Sequence, residues 1–67
     1  MRGYTKYGEI IREKRKEKGL SQEKLAELAK VDAKTIIQIE GGKRNPTLKS
    51  LQKIANSLKV PLRDLIT

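Results

Sequence analysis

The sequence contains neither cysteine nor histidine, which removes disulfide staples, thiolate nucleophiles and the usual thiolate and imidazole ligands of zinc. Whatever fold forms is held by packing alone. Long apolar runs are also missing, and so is a basic amphipathic segment with a broad apolar face, so neither a membrane span nor a membrane-surface helix is expected. The N-terminal MRGYTKYGE lacks the apolar stretch of a signal peptide, and a cytoplasmic setting is the expectation. Acids are scarce, with eight against sixteen Lys and Arg for a formal net charge of +8. Such a surface attracts polyanions, and with the membrane set aside, nucleic acid is the favoured partner. The strict apolar–polar alternation of a half-buried strand is absent as well, leaving an all-α class.

Sixty-seven residues allow a single domain, residues 1–67 with a core of about 7–66. A chain of this size buries only about 60% of the surface its unfolded form exposes, so its core must be economical. Breakers and caps place five helices. The first is expected after Thr5 and as far as Lys18, ended by Gly19, with Tyr7 and Ile11 inward. Gly8 inside it carries a helix penalty of about 1 kcal/mol relative to Ala, so it either marks fraying or lets a neighbouring helix approach closely, the second being preferred. Ser21 caps a second helix that ends near Ala29, with Leu25, Ala26, Leu28 and Ala29 at helical spacing. Asp32 caps a third, Ala33 to Glu40, stopped by Gly41 and Gly42. Thr47 caps a fourth, with Leu48, Leu51, Ile54, Ala55 and Leu58 on one side, and Pro61 to Ile66 forms a last short turn.

Two short helices joined by a tight turn, Gly19 to Pro46, cannot stand alone, because isolated helices below about 12–15 residues are marginal in water. They read as a helix-turn-helix packed on flanking helices. The order LSQEKLA, TIIQIE, GKRNPTLKSLQKIANSLKV, with its closing V-P-L, resembles the Cro/C1-type helix-turn-helix domains of phage repressors and small microbial regulators, over residues 7–66. The resemblance implies a five-helix bundle of the lambda-repressor-like type. It also implies a sequence-specific reader of double-stranded DNA, contacting major groove and phosphates, usually as a two-fold dimer regulating transcription.

Carried onto this chain, the resemblance gives Gln22 the role of holding a phosphate and bracing the recognition helix. A first-turn side chain beside free amides suits an anion. Ala33, Lys34 and Gln38 match positions that face base edges, and Thr35 one that meets phosphate or base. Gln38 suits an adenine edge, Lys34 guanine O6 and N7, and Ala33 a thymine methyl. Lys43, Arg44 and Asn45, with Thr47 to Lys49, match a second phosphate clamp. The sequence agrees on its own terms, since no acid stands between Glu40 and Asp64 and backbone contacts of this kind position a reader. Arg15 and Glu40 match an internal salt bridge that orients the recognition helix. Lys30 stands where glycine is common and is expected in a left-handed conformation.

A homodimer is expected from the resemblance, with Leu58, Val60, Leu62, Leu65 and Ile66 as candidate contacts. A chain ending at Thr67 leaves no room for an added ligand-sensing domain, and neither cofactor nor small-molecule ligand is expected. The rival class is a protein-interaction module, such as an antitoxin-like partner or a transcription bridging factor, using Ile10, Ile37 and the apolar tail. An enzyme is the weakest reading: no serine sits with a base and acid, and the carboxylates are scattered among lysines as helix-surface charge.

Overall fold

The computed structural model describes residues 3–66, with side chains from Lys6 onward. Among them lie five helices and no strand: α1 (Gly3–Glu17), α2 (Gln22–Ala29), α3 (Ala33–Glu40), α4 (Leu48–Leu58) and α5 (Arg63–Ile66). None is long and apolar enough to cross a membrane. The first helix starts three residues before its expected position after Thr5. The last starts later than Pro61, although the Pro61 and Leu62 carbonyls already accept from the Asp64 and Leu65 amides at 3.0 and 2.9 Å.

Caps set the boundaries. Ser21 Oγ accepts from the Lys24 amide at 2.9 Å, Asp32 Oδ1 from Lys34 at 3.0 Å and Thr47 Oγ1 from Ser50 at 3.0 Å. Each satisfies one of the free amides that a helix start leaves. Four helices end on a left-handed residue: Gly19 (φ 70°), Lys30 (φ 59°), Gly42 (φ 73°) and Lys59 (φ 60°). After each, the next amide reaches back five residues to a helix carbonyl, as Val31 does to Ala26 at 3.0 Å and Val60 to Ala55 at 3.1 Å. Leu20, Val31 and Val60 then lay their side chains on the core, the apolar contact that accompanies this ending.

The core consists of Ile11, Leu25, Ala26, Ala29, Ile36, Ile39, Leu51, Ile54, Ala55, Leu58 and Leu65. The third helix packs on α1 and α2, α2 on α4, and α5 closes against α1 and α4. Gly8 marks the tightest crossing. A Cβ there would collide with the Ile39 carbonyl oxygen and stand 3.1 Å from the Glu40 Cα, so the missing side chain lets the end of α3 rest on α1.

Four expectations need correction. Leu58 and Leu65 are fully buried within the chain's own core, which withdraws them from any contact with a second copy. Val60 and Leu62 are half-buried, and Ile66 remains exposed. Leu28 is exposed rather than inward, because at about 100° per residue it lies roughly 105° from the middle of the stripe formed by Leu25, Ala26 and Ala29. Leu48 is exposed too, about 70° off the stripe of Leu51, Ile54, Ala55 and Leu58. Ile10 packs half-buried against the core and leaves Ile37 as the exposed isoleucine of the pair.

Candidate nucleic-acid interface

The third helix buries Ile36 and Ile39, and helix geometry then dictates what faces outward. At about 100° per residue, Lys34 and Gln38 point roughly 10° and 50° from the direction opposite those isoleucines. Lys34 is exposed and Gln38 half-exposed. Ile37, also exposed, stands beside them, while Thr35 flanks the face on one side. Ala33 is half-buried against the core. The resulting face carries one ammonium, one amide, one hydroxyl and an apolar side chain, the mixture that major-groove edges call for.

The loop after α3 folds back along this face. The left-handed Gly42 turns the chain, the Lys43 amide donates to the Gln38 carbonyl at 2.9 Å, and the next side chain returns toward the start of the helix. Arg44 Nη1 donates to Thr35 Oγ1 at 3.2 Å and approaches Gln38 Oε1 at 3.4 Å. Only the spacing of Thr35 and Gln38, one turn apart on α3, hints at this contact from the sequence. Lys43, Asn45 and Lys49 are exposed around the loop, and the absence of acids from 41 to 63 leaves this rim uniformly positive.

A buried charge pair fixes the other end of α3. Arg15 Nε donates to Glu40 Oε2 at 2.7 Å and Nη2 to Oε1 at 2.9 Å, while Nη1 donates to the Leu20 carbonyl at 2.7 Å. The two side chains are only 10% and 4% exposed, so the fork is shielded from water. The hydrogen bond to Glu40 raises the Arg15 pKa, against the opposing effect of burial. Glu40 lies in the last turn of α3, where the helix dipole disfavours an anion and α3 offers no basic residue of its own. Arg15 brings that cation from α1. Gln22 Nε2 donates to Glu40 Oε1 at 3.1 Å, tying the first turn of α2 to the last turn of α3. An amide nitrogen carries two hydrogens, so Gln22 keeps one for an outside acceptor.

The three caps differ in a way that matters for anions. The second and fourth helices begin at hydroxyls, Ser21 and Thr47, whereas α3 begins at the carboxylate of Asp32. A phosphate is welcome at a neutral helix start and is repelled by an acidic one. The hydroxyl caps of α2 and α4 leave those two helix starts without a capping anion, although Glu23 stands in the first turn of α2.

Comparison with known proteins identifies the family of this fold. The helix-turn-helix family profile matches residues 11–65. The chain belongs to the helix-turn-helix family of the Cro/C1 type. It is similar to an uncharacterized HTH-type transcriptional regulator of Methanothermobacter thermautotrophicus, 49% identical over 49 residues that cover 73% of this chain and 71% of the relative. A second such regulator, from Archaeoglobus fulgidus, is 42% identical over 55 residues, covering 82% and 79%. Among solved structures, the restriction-modification controller protein C.AhdI from Aeromonas hydrophila superposes with a TM-score of 0.90 at 40% identity, over 92% of this chain and 94% of that one.

Proposed function

We propose that this DNA-binding transcriptional regulator reads a palindromic duplex operator as a symmetric homodimer, acting in the cytoplasm as a repressor. Lys34 and Gln38, with Ala33 and Thr35 beside them, take the base edges. Gln22 holds phosphate at the start of α2 with its second amide hydrogen. Lys43, Arg44 and Asn45, with the hydroxyl-capped start of α4, hold phosphate on the other side of α3. The observation that carries this reading is the outward face of α3, polar at Lys34 and Gln38, with Arg44 of the acid-free loop folded back onto it. Phosphate contacts set register on either side, and the helix between them specifies sequence. For the dimer, Val60, Leu62 and Ile66 supply the apolar surface remaining at the α5 end, and a two-fold contact there would present two α3 helices to successive half-sites.

Selection of binding sites from random duplex DNA at about 150 mM salt tests the proposal, because purely electrostatic binding is weakened at that ionic strength. Enrichment of an inverted repeat supports a dimeric operator reader. No enrichment by folded protein overturns it in favour of a protein-interaction module, for which exposed Ile37 beside the reading face would be the first contact to examine.

A further inference from the structure

We propose that Arg44 sets the base preference of Gln38, and that the two side chains together read guanine rather than adenine. The inference rests on α3 being the DNA-reading helix and goes beyond the role of Arg44 as a phosphate contact. A guanidinium has donors only, so the atom of Gln38 that faces it must be the amide oxygen. That chemistry fixes which way the amide points: Oε1 turns toward Arg44 and the Nε2 hydrogens are left at the outer edge. Free glutamine reads adenine by using both ends, accepting from N6 through Oε1 and donating to N7 through Nε2. Here the accepting end already faces Arg44 Nη1, 3.4 Å away, and the same guanidinium is held over Thr35 Oγ1 at 3.2 Å.

An adenine amino group reaching for the second lone pair of Oε1 would place its hydrogens beside a cation that is itself all donors. Guanine meets no such conflict. Its major-groove edge offers two acceptors, O6 and N7, to the free hydrogens of Gln38 Nε2 and Arg44. Lys34, on the same face, adds donors and no acceptor. The edge presented to the groove is therefore rich in donors, and the fold builds it by turning the chain at Gly42 so that Arg44 returns to a residue nine positions earlier. Thr35 acts as the positioning residue that keeps the guanidinium over the helix instead of free in solvent.

The test compares sites selected by the unaltered protein and by the Gln38→Ala, Arg44→Ala and Arg44→Lys variants, all at exposed or half-exposed positions and checked for unchanged helicity. The base pair under Gln38 is the one whose preference disappears in Gln38→Ala. At that pair the unaltered protein should favour guanine over adenine by about tenfold, within the range of a good bidentate contact. Arg44→Ala should move the preference at that pair toward adenine while the rest of the site is kept. Arg44→Lys should retain the salt dependence of binding, since its charge is kept, yet lose the guanine preference, since its single ammonium cannot span Thr35 and Gln38 as the fork does. Adenine selected by the unaltered protein, or an Arg44→Ala variant that is weaker with an unchanged preference, overturns the inference and leaves α3 as the DNA reader. Absence of any selected site overturns the DNA reading itself, and this inference with it.

Discussion

Arg15 and Glu40, twenty-five residues apart in sequence, form a two-pronged ion pair that joins the end of α1 to the end of α3. Its third prong ties Arg15 to the Leu20 carbonyl, so one side chain fixes both the turn leaving α1 and the tilt of the helix proposed to read DNA. None of the buried side-chain polar atoms among the described residues lacks a partner, which is the condition under which a shielded pair is tolerated.

Removing one member should therefore cost more than the pair contributes as a whole. Arg15→Met or Glu40→Leu alone is expected to lose about 3–5 kcal/mol, because each strands the other charge away from water. The double variant should lose clearly less than the sum, and urea unfolding of all four proteins measures the difference. Additive losses would show that the two residues act independently. The pH dependence follows from the raised Arg15 pKa. A cation with a raised folded pKa stabilises fully below its unfolded value and loses that contribution only as pH rises through the folded one. The gap between the unaltered protein and the Arg15→Met/Glu40→Leu double variant, which strands neither charge, should thus stay flat from about pH 6 to about pH 10, well below the arginine range.

Gly8→Ala should destabilise the protein, although glycine to alanine inside a helix ordinarily gains about 1 kcal/mol. The added Cβ would meet backbone, the Ile39 carbonyl and the Glu40 Cα, and backbone cannot swing aside as a flexible side chain can. A loss of about 1–3 kcal/mol in thermal or urea unfolding is expected. Since the displaced segment carries Glu40, the same variant should weaken DNA binding more than a helix-surface substitution such as Glu13→Ala. A stabilised Gly8→Ala protein would show that α1 and α3 have room to separate.

Most of the fold was legible because its boundaries are written in local chemistry. Ser21, Asp32 and Thr47 have side chains that satisfy a helix start, and Gly19 and Gly42 have the backbone freedom that a helix end uses, so each boundary could be read without knowing the tertiary structure. Gly8 was legible for the opposite reason: a costly residue inside a helix needs a close neighbour to explain it. Burial was read less well. Leu28 and Leu48 share helical spacing with core residues but sit at the flanks of their stripes, and spacing alone does not say how wide the buried sector is. The apolar tail could either close the core or meet a partner, and spacing does not decide between them; Leu58 ends the buried stripe of α4, and α5 turns Leu65 inward. Lys59 gave no signal that it would take a left-handed conformation. The contact of Arg44 with Thr35 and Gln38 depends on how a loop folds back, a non-local property that the spacing of residues does not encode.

The left-handed lysines offer a route to stabilisation. A side chain in that conformation is disfavoured by about 1–2 kcal/mol, a penalty glycine avoids while giving up some unfolded-state entropy advantage. Lys30→Gly and Lys59→Gly, both at exposed positions, should each raise stability by up to about 1 kcal/mol, with effects that add because they end different helices. Thermal unfolding reads this directly. A loss of stability at either position would mean that the lysine side chain makes a compensating contact over the groove it borders with Leu28 and Lys53.

Two lysines of the proposed interface should fail in different ways when shortened. Lys43 stands on the acid-free loop, so Lys43→Ala should weaken binding to every duplex alike and reduce the slope of log affinity against log salt by about 0.9, the counterion share of one phosphate contact. Lys34 points outward from α3, away from the buried isoleucines, so Lys34→Ala should relax preference at one base pair by about 1–3 kcal/mol, with other positions unchanged. Binding titrations at several salt concentrations, on the selected operator and on a scrambled duplex, separate the two effects. If Lys34→Ala instead lowers affinity for both duplexes equally, Lys34 lies on phosphate and α3 enters the groove in a different orientation from the one its buried isoleucines imply. If Lys43→Ala changes base preference, the loop reaches base edges and belongs to the reading surface along with Arg44.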